Sequence, residues 1–167
     1  MQLQQIDKQR YSKHYKQVFI GVVILMMAIA LPVSSGLIYL LGNEQGNFWL
    51  NVAGVVVAAF VVVQLFRRYR NHEYLFEVLY VWDLKQMLNK IYRKQKAIKA
   101  AMAEGDRDAM VIMNWSYKGS KQLYTLDNNT ITMEELNRAM SDLDKLIEQY
   151  DYSVTLEDFS PELLEKY

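Results

Sequence analysis

VFIGVVILMMAIALPVSSGLIYLL (Val18–Leu41) and FWLNVAGVVVAAFVVVQLF (Phe48–Phe66), joined by GNEQGN (Gly42–Asn47), decide the fold. The first run has 24 residues, the second has 19, and neither contains a charged side chain. An α-helix needs roughly 20 apolar residues to cross a hydrocarbon layer about 30 Å thick. Both runs meet that length, and the link is too short for a domain. The reading is a two-helix transmembrane hairpin, with both chain ends on one side of a lipid bilayer.

The flanks set the expected orientation. Lys8, Arg10, Lys13 and Lys16 precede the hairpin, Arg67, Arg68 and Arg70 follow it, and the link carries only Glu44. Cytoplasmic flanks are enriched in Lys and Arg, so both termini are expected in the cytoplasm and Asn43–Asn47 outside. Tyr39, Phe48 and Trp49 would mark the outer interface, and Tyr11 and Tyr15 the inner one. Val33-Ser34-Ser35 could pass for a signal-peptide cleavage site, but the apolar run continues through Leu41 and a second span follows. Three segments result: 1–17, a basic N-terminal cytoplasmic segment; 18–66, the hairpin; 67–167, a cytoplasmic helical domain.

Within the first span, Gly21, Ala28, Pro32 and Ser35 fall on one stripe with Leu25 and Tyr39. In the second span, Asn51, Gly54 and Ala58 form another. Small residues let membrane helices approach closely, and an Asn can bond across the contact. These seven residues are the candidate packing positions, of the hairpin on itself or on a second copy, and a homodimer is one outcome. Pro32 is expected to kink the first span. Neither span has an ionisable side chain, the usual mark of an ion path.

The remaining residues read as helices, so the fold class is all-α: the hairpin, then a cytoplasmic bundle of about three helices. Met1–Gln5 looks frayed, and Asp7 can cap a helix that starts at Lys8 and runs into the first span. No Gly or Pro occurs from Phe66 to Glu104. The second span could therefore continue as one long helix, with Asn71-His72 as the place to bend. Val81, Leu84, Leu88, Ile91, Gln95, Ile98 and Met102 form an apolar seam along it. Gly105 stops this helix and Asp106 caps the next, Arg107 to Tyr117, with Met110, Met113 and Tyr117 on one side. Gly119-Ser120 is expected to break it before Lys121–Leu126. Asp127-Asn128-Asn129 is a turn, Thr132 and Glu135 form a capping box, and Met133–Tyr150 is amphipathic through Leu136, Met140, Leu143, Ile147 and Tyr150. Ser160-Pro161 opens a last short helical turn.

Net charge is zero but unevenly spread. Met1–Ala103 holds 13 basic and 5 acidic residues, a net +8, and Asp127–Tyr167 holds 3 basic and 11 acidic, a net −8. Lys85, Lys90, Arg93, Lys94, Lys96 and Lys99 follow one another without an acid. The simplest expectation is neutralisation inside the fold. Lys90, Arg93, Lys94 and Lys99 would face Glu135, Asp142, Asp144 and Glu148 as an internal ion-pair face, or else serve as an interaction face for an anionic partner. Nucleic acid is not the expected partner.

No catalytic residue, metal ligand set or cofactor-binding motif is found. The chain has no cysteine, and His14 and His72 lack a His or Cys partner at ligand spacing. Asp127–Ile131 begins like a calcium loop. It then offers Ile131 and Arg138 where oxygen ligands are needed.

Several stretches carry a family resemblance: Asn71-His72-Glu73, Val81-Trp82-Asp83-Leu84-Lys85-Gln86, Asn89-Lys90-Ile91-Tyr92-Arg93-Lys94, Tyr117-Lys118-Gly119-Ser120-Lys121-Gln122-Leu123-Tyr124 and Leu126-Asp127-Asn128-Asn129-Thr130. With Ile6-Asp7-Lys8 and the hairpin, the chain resembles small gammaproteobacterial inner-membrane proteins catalogued as domain of unknown function 3087. The resemblance implies a bacterial inner (cytoplasmic) membrane and no particular activity. The expected function is a membrane-anchored helical interaction or scaffold module, not an enzyme, whose partners are other membrane or cytoplasmic proteins. The alternative is an oligomeric channel or transporter accessory subunit.

Overall fold

The computed structural model describes residues 2–43 and 46–167; Met1, and Glu44 and Gln45 of the link, lie outside the described residues. All described regular structure is helical: α1 (Lys8–Leu41), α2 (Phe48–Arg68), a 3-10 turn (Glu73–Leu75), α3 (Phe76–Ala103), α4 (Arg107–Leu126), α5 (Met133–Gln149) and a 3-10 helix (Pro161–Lys166). The chain forms two compact units, Gln9–Leu79 and Met1–Lys8 with Tyr80–Tyr167. These divisions fall at Lys8/Gln9 and Leu79/Tyr80, not at the ends of the apolar runs.

In the hairpin unit, α1 starts at Lys8, as the Asp7 signal predicts, and runs unbroken through Pro32. Both α1 and α2 are long and apolar enough to cross a membrane. The second span does not continue as one long helix. The N–H of Tyr69 closes α2 on the Leu65 carbonyl (2.9 Å), and the chain turns at Arg70–His72. The break falls at the expected Asn71-His72, although neither residue is Gly or Pro. Its cause is local: His72 Nδ1 accepts from the Tyr74 N–H at 3.1 Å and so caps the next turn of helix.

In the helical unit, α4 is the central element. Ala109, Met110, Val111, Ile112, Met113, Asn114 and Trp115 are all buried. Seven consecutive residues pass twice round a helix, so this half of α4 is enclosed on every side. That corrects the expectation of a one-sided helix. It also gives α5 its seat, which is on α4. Leu136 and Leu143 of α5 are buried, as are Val81, Leu84, Ile91 and Ile98 of the α3 seam. The Trp115 ring stacks on Phe159 with centroids 4.3 Å apart.

The turns follow local chemistry. Gly105 has φ +89, and a Cβ there would sit 2.5 Å from the Tyr150 ring, so glycine is required twice over. The Tyr152 hydroxyl donates to the Gly105 carbonyl at 3.1 Å. Asp106 caps α4, accepting from the N–H groups of Asp108 (2.9 Å) and Ala109 (3.4 Å). Three expectations fail. α4 does not break at Gly119-Ser120, because Gly119 is a packing residue: a Cβ there would lie 3.2 Å from Leu84 Cδ1 of α3. Thr132 stands at the start of α5 but makes no capping bond, so the capping box is absent. Within the Met1–Gln5 stretch expected to fray, Gln4 is pinned, while Met1 lies outside the described residues. The Gln4 N–H donates to Tyr80 Oη (2.9 Å), that hydroxyl donates to Gln122 Oε1 (2.9 Å), and Gln122 Nε2 donates to the Gln4 carbonyl (2.5 Å). This closed ring holds Leu3 and Ile6 half-buried.

Candidate functional site

Three places collect polar or close-packed groups. The first is the hairpin contact. Gly54 and Ala58 are the buried residues of α2, and Ser34 is buried on α1. A Cβ on Gly54 would collide with Ser34 Oγ and come within 2.9 Å of the Ala30 carbonyl, so the helices meet backbone to backbone. Ser34 Oγ donates to the Asn51 carbonyl at 3.4 Å, while the rest of Asn51 is exposed. Gly21, Ala28, Pro32 and Ser35, the candidate packing positions of α1, are exposed in the single chain. The less exposed side runs through Val22, Ile29, Val33 and Ser34. One residue is a rotation of about 100°, which separates Ser34 from Ser35. Ser34 was missed because two small residues stand side by side.

The second place lies where α1 meets the start of α3, within the hairpin unit. Glu77 is buried. It accepts from Arg10 Nε at 2.6 Å, and its other oxygen is 3.1 Å from His14 Nδ1. Arg10 also reaches Glu73 at 3.2 Å. The His14 ring lies against Tyr74, centroids 4.2 Å apart, and the Tyr74 hydroxyl donates to Gln17 Oε1 at 2.5 Å. A buried carboxylate must be paired, and Arg10 pairs it, so the arrangement acts as a clasp. A signal existed, since Glu77 is the only charge in Leu75–Trp82. Its partners lie 63 and 67 residues away in sequence, which no local pattern reveals.

The third place is the basic side of α3. Lys85 pairs with Asp127 at 3.0 Å. Lys94 Nζ donates to the Leu164 carbonyl at 2.6 Å, across a cleft of about 370 Å³ lined also by Lys90, Arg93, Glu162 and Glu165. Among the described residues, no ion pair joins Lys90, Arg93, Lys94 or Lys99 to α5. The expected internal ion-pair face is therefore not formed. α5 instead pairs with itself, Glu134 with Arg138 (2.6 Å) and Asp142 with Lys145 (3.2 Å). The cause is the placement of α5 on α4. Trp82 and Tyr92 of α3 stand 61% and 73% exposed.

Acids at the Gly105 turn are neutralised by the C-terminal segment. Lys166 Nζ lies 2.7 Å from Asp106 and 3.1 Å from Asp108, and Arg107 pairs with Asp158 at 3.1 Å. Partial burial alone would raise the Asp106 carboxyl. The Lys166 ammonium and the N–H groups of Ala109 and Asp108 outweigh it and hold the group below its ordinary value.

Residues 1–164 match the family described as "Protein of unknown function (DUF3087)". The chain belongs to the DUF3087 family. No curated protein and no solved structure matches it. Nothing in the DUF3087 description assigns chemistry to these residues. Among the described residues, no group of three or more His, Asp or Glu side chains could hold a metal ion.

Proposed function

We propose that this DUF3087 protein is a membrane-anchored helical interaction module of a bacterial inner membrane, with both chain ends in the cytoplasm. The observation that carries the reading is the apolar surface of the hairpin. Only 6% of the apolar window of α1 and 17% of that of α2 is buried. Phe19, Leu31, Leu40, Val56 and Phe60 are each more than half exposed. A core helix of a water-soluble protein would cover such a surface, and a continuous apolar girdle of this kind calls for lipid. The Arg and Lys residues at both open ends of the hairpin support the cytoplasmic orientation. The family resemblance supports the inner membrane. The helical unit then stands in the cytoplasm as the part that meets other membrane or cytoplasmic proteins.

A periplasm-only reporter fused at Asn43 should be active and the same reporter at Tyr167 silent. The opposite pattern overturns the topology. Crosslinking in native membranes, read by mass spectrometry, should recover crosslinks on residues 80–167. Crosslinks confined to the hairpin overturn the assignment of the interaction to the helical unit.

A further inference from the structure

The charge split that the chain carries is answered only in part inside one copy: Lys85 pairs with Asp127, and Glu162 and Glu165 share a cleft with Lys90, Arg93 and Lys94. On α3, Asn89, Tyr92, Arg93, Lys96 and Lys99 fall within about 120° of one another round the helix, and all are exposed. Arg93, at the edge of the cleft that Glu162 and Glu165 line, and Lys96 and Lys99 make no ion pair among the described residues. On α5, Glu134, Asn137, Ser141, Asp144 and Glu148 also step by three and four, and all are exposed. Glu134 is answered by Arg138, while Asp144 and Glu148 have no ion pair among the described residues. The two stripes have comparable reach, about 15 Å and about 21 Å at 1.5 Å per residue.

We infer that two copies of this chain associate by docking the basic α3 stripe of one on the acidic α5 stripe of the other. Like charges kept together on one helix face destabilise it slightly, and an opposite face is what relieves them. The side chains also suit a protein contact. Tyr92 and Arg93 are the types that dominate interface energetics, and the short Asn137 and Ser141 leave room for the Tyr92 ring between the acids. Ile131, 92% exposed just before α5, gives the acidic side its own apolar anchor. A twofold axis would form the contact twice, each copy giving one stripe of each sign. The inference rests on the reading of the protein as an interaction module and names its partner. It does not depend on the topology, so a reporter result and the result below can fail separately.

The test uses the full chain in detergent, with mass measured by light scattering. Wild type should associate at low salt and fall to one copy near 1 M salt, where screening extends only about 3 Å. The variant Arg93→Glu, Lys96→Glu, Lys99→Glu should be a single copy, as should Glu134→Lys, Asp144→Lys, Glu148→Lys. Mixing the two should restore association. The milder Arg93→Gln, Lys96→Gln, Lys99→Gln variant, with an unchanged melting point, shows that loss of mass is not loss of fold. Wild type found as one copy at low salt overturns the inference. So does association of either charge-reversed variant alone at the wild-type level, or a mixture that stays dissociated. If the α3 variant instead keeps its mass and loses binding to vesicles of anionic phospholipid, the basic stripe serves a lipid surface and the inference is wrong.

Discussion

The hairpin and the helical unit use the same residue classes in opposite ways. In the hairpin the large side chains point outward, with Leu31 at 65% and Phe60 at 63% exposure, and the contact is made by Gly54, Ala58 and Ser34. In the helical unit the large aliphatic side chains of the α3 seam point inward, with Leu84, Ile91 and Ile98 at 1% or less. Water drives the second arrangement, because burying apolar surface is favourable there. Lipid, the proposed surroundings of the hairpin, offers no such gain, so close backbone approach carries the contact instead.

The comparison breaks most sharply at the core. Trp115→Ala should cost about 3–5 kcal/mol. Circular dichroism on heating should then show α3–α5 melting early while the hairpin helices persist. Simultaneous loss of all helix would mean the two units do not fold separately. Trp115→Phe should cost far less, since it keeps a ring against Phe159 and removes an indole N–H that lacks a partner.

The two buried glycines sharpen the contrast. Gly54→Ala pushes a methyl at a backbone carbonyl, which cannot rotate away, and should cost about 1–3 kcal/mol by overpacking. Spin labels at the exposed Leu31 and Val57 should move apart. Gly119→Ala crowds the tip of Leu84 at 3.2 Å and meets Leu88 and Leu3 at ordinary contact distance, and a gain in helix propensity of up to about 1 kcal/mol offsets the crowding, so stability should barely change. Equal losses at both sites would mean the two contacts are alike.

Two helix starts provide the smaller effects. Asp106→Ala removes a working cap and should cost about 0.5–2 kcal/mol in thermal unfolding. Because the folded Asp106 carboxyl lies below its ordinary value, its stabilisation is complete above the unfolded value near 3.9. It is lost as pH falls through the folded value. Asp106→Asn should therefore flatten the acid limb of the stability profile while keeping most of the cap. Thr132→Val should be neutral or slightly stabilising, since its buried hydroxyl has no partner and caps nothing. A loss there comparable to that at Asp106 would show that Thr132 does cap α5.

Much of this was legible along the chain. The start of α1 at Lys8, the bend at Asn71-His72, the stop at Gly105, the cap at Asp106 and the α3 seam each follow from a few neighbouring residues. Two of the misreadings share one cause, which is that a partner distant in sequence decided the outcome. Gly119 read as a breaker because Leu84 was not in view. The Met1–Gln5 stretch read as frayed because Tyr80 and Gln122 were not. Among the candidate site residues, Gly54 and Ala58 are buried as their small size suggests. Gly21, Ala28, Pro32 and Ser35 are not, because one step round the helix separates two equally small stripes. Ala109–Trp115 did carry a readable signal: seven residues without a charge belong on a helix enclosed all round.

The sequence by itself determined the helical class, the two apolar runs, most helix ends and the opposite charges of the two halves. These depend on local propensity, capping and length, which a few adjacent residues settle. Only the tertiary structure decided that α4 is the centre, that α5 rests on it, and that Glu77 is held by Arg10 and His14. Those arrangements depend on which faces meet, and burial is non-directional: an apolar stripe specifies that it will be covered, not by what.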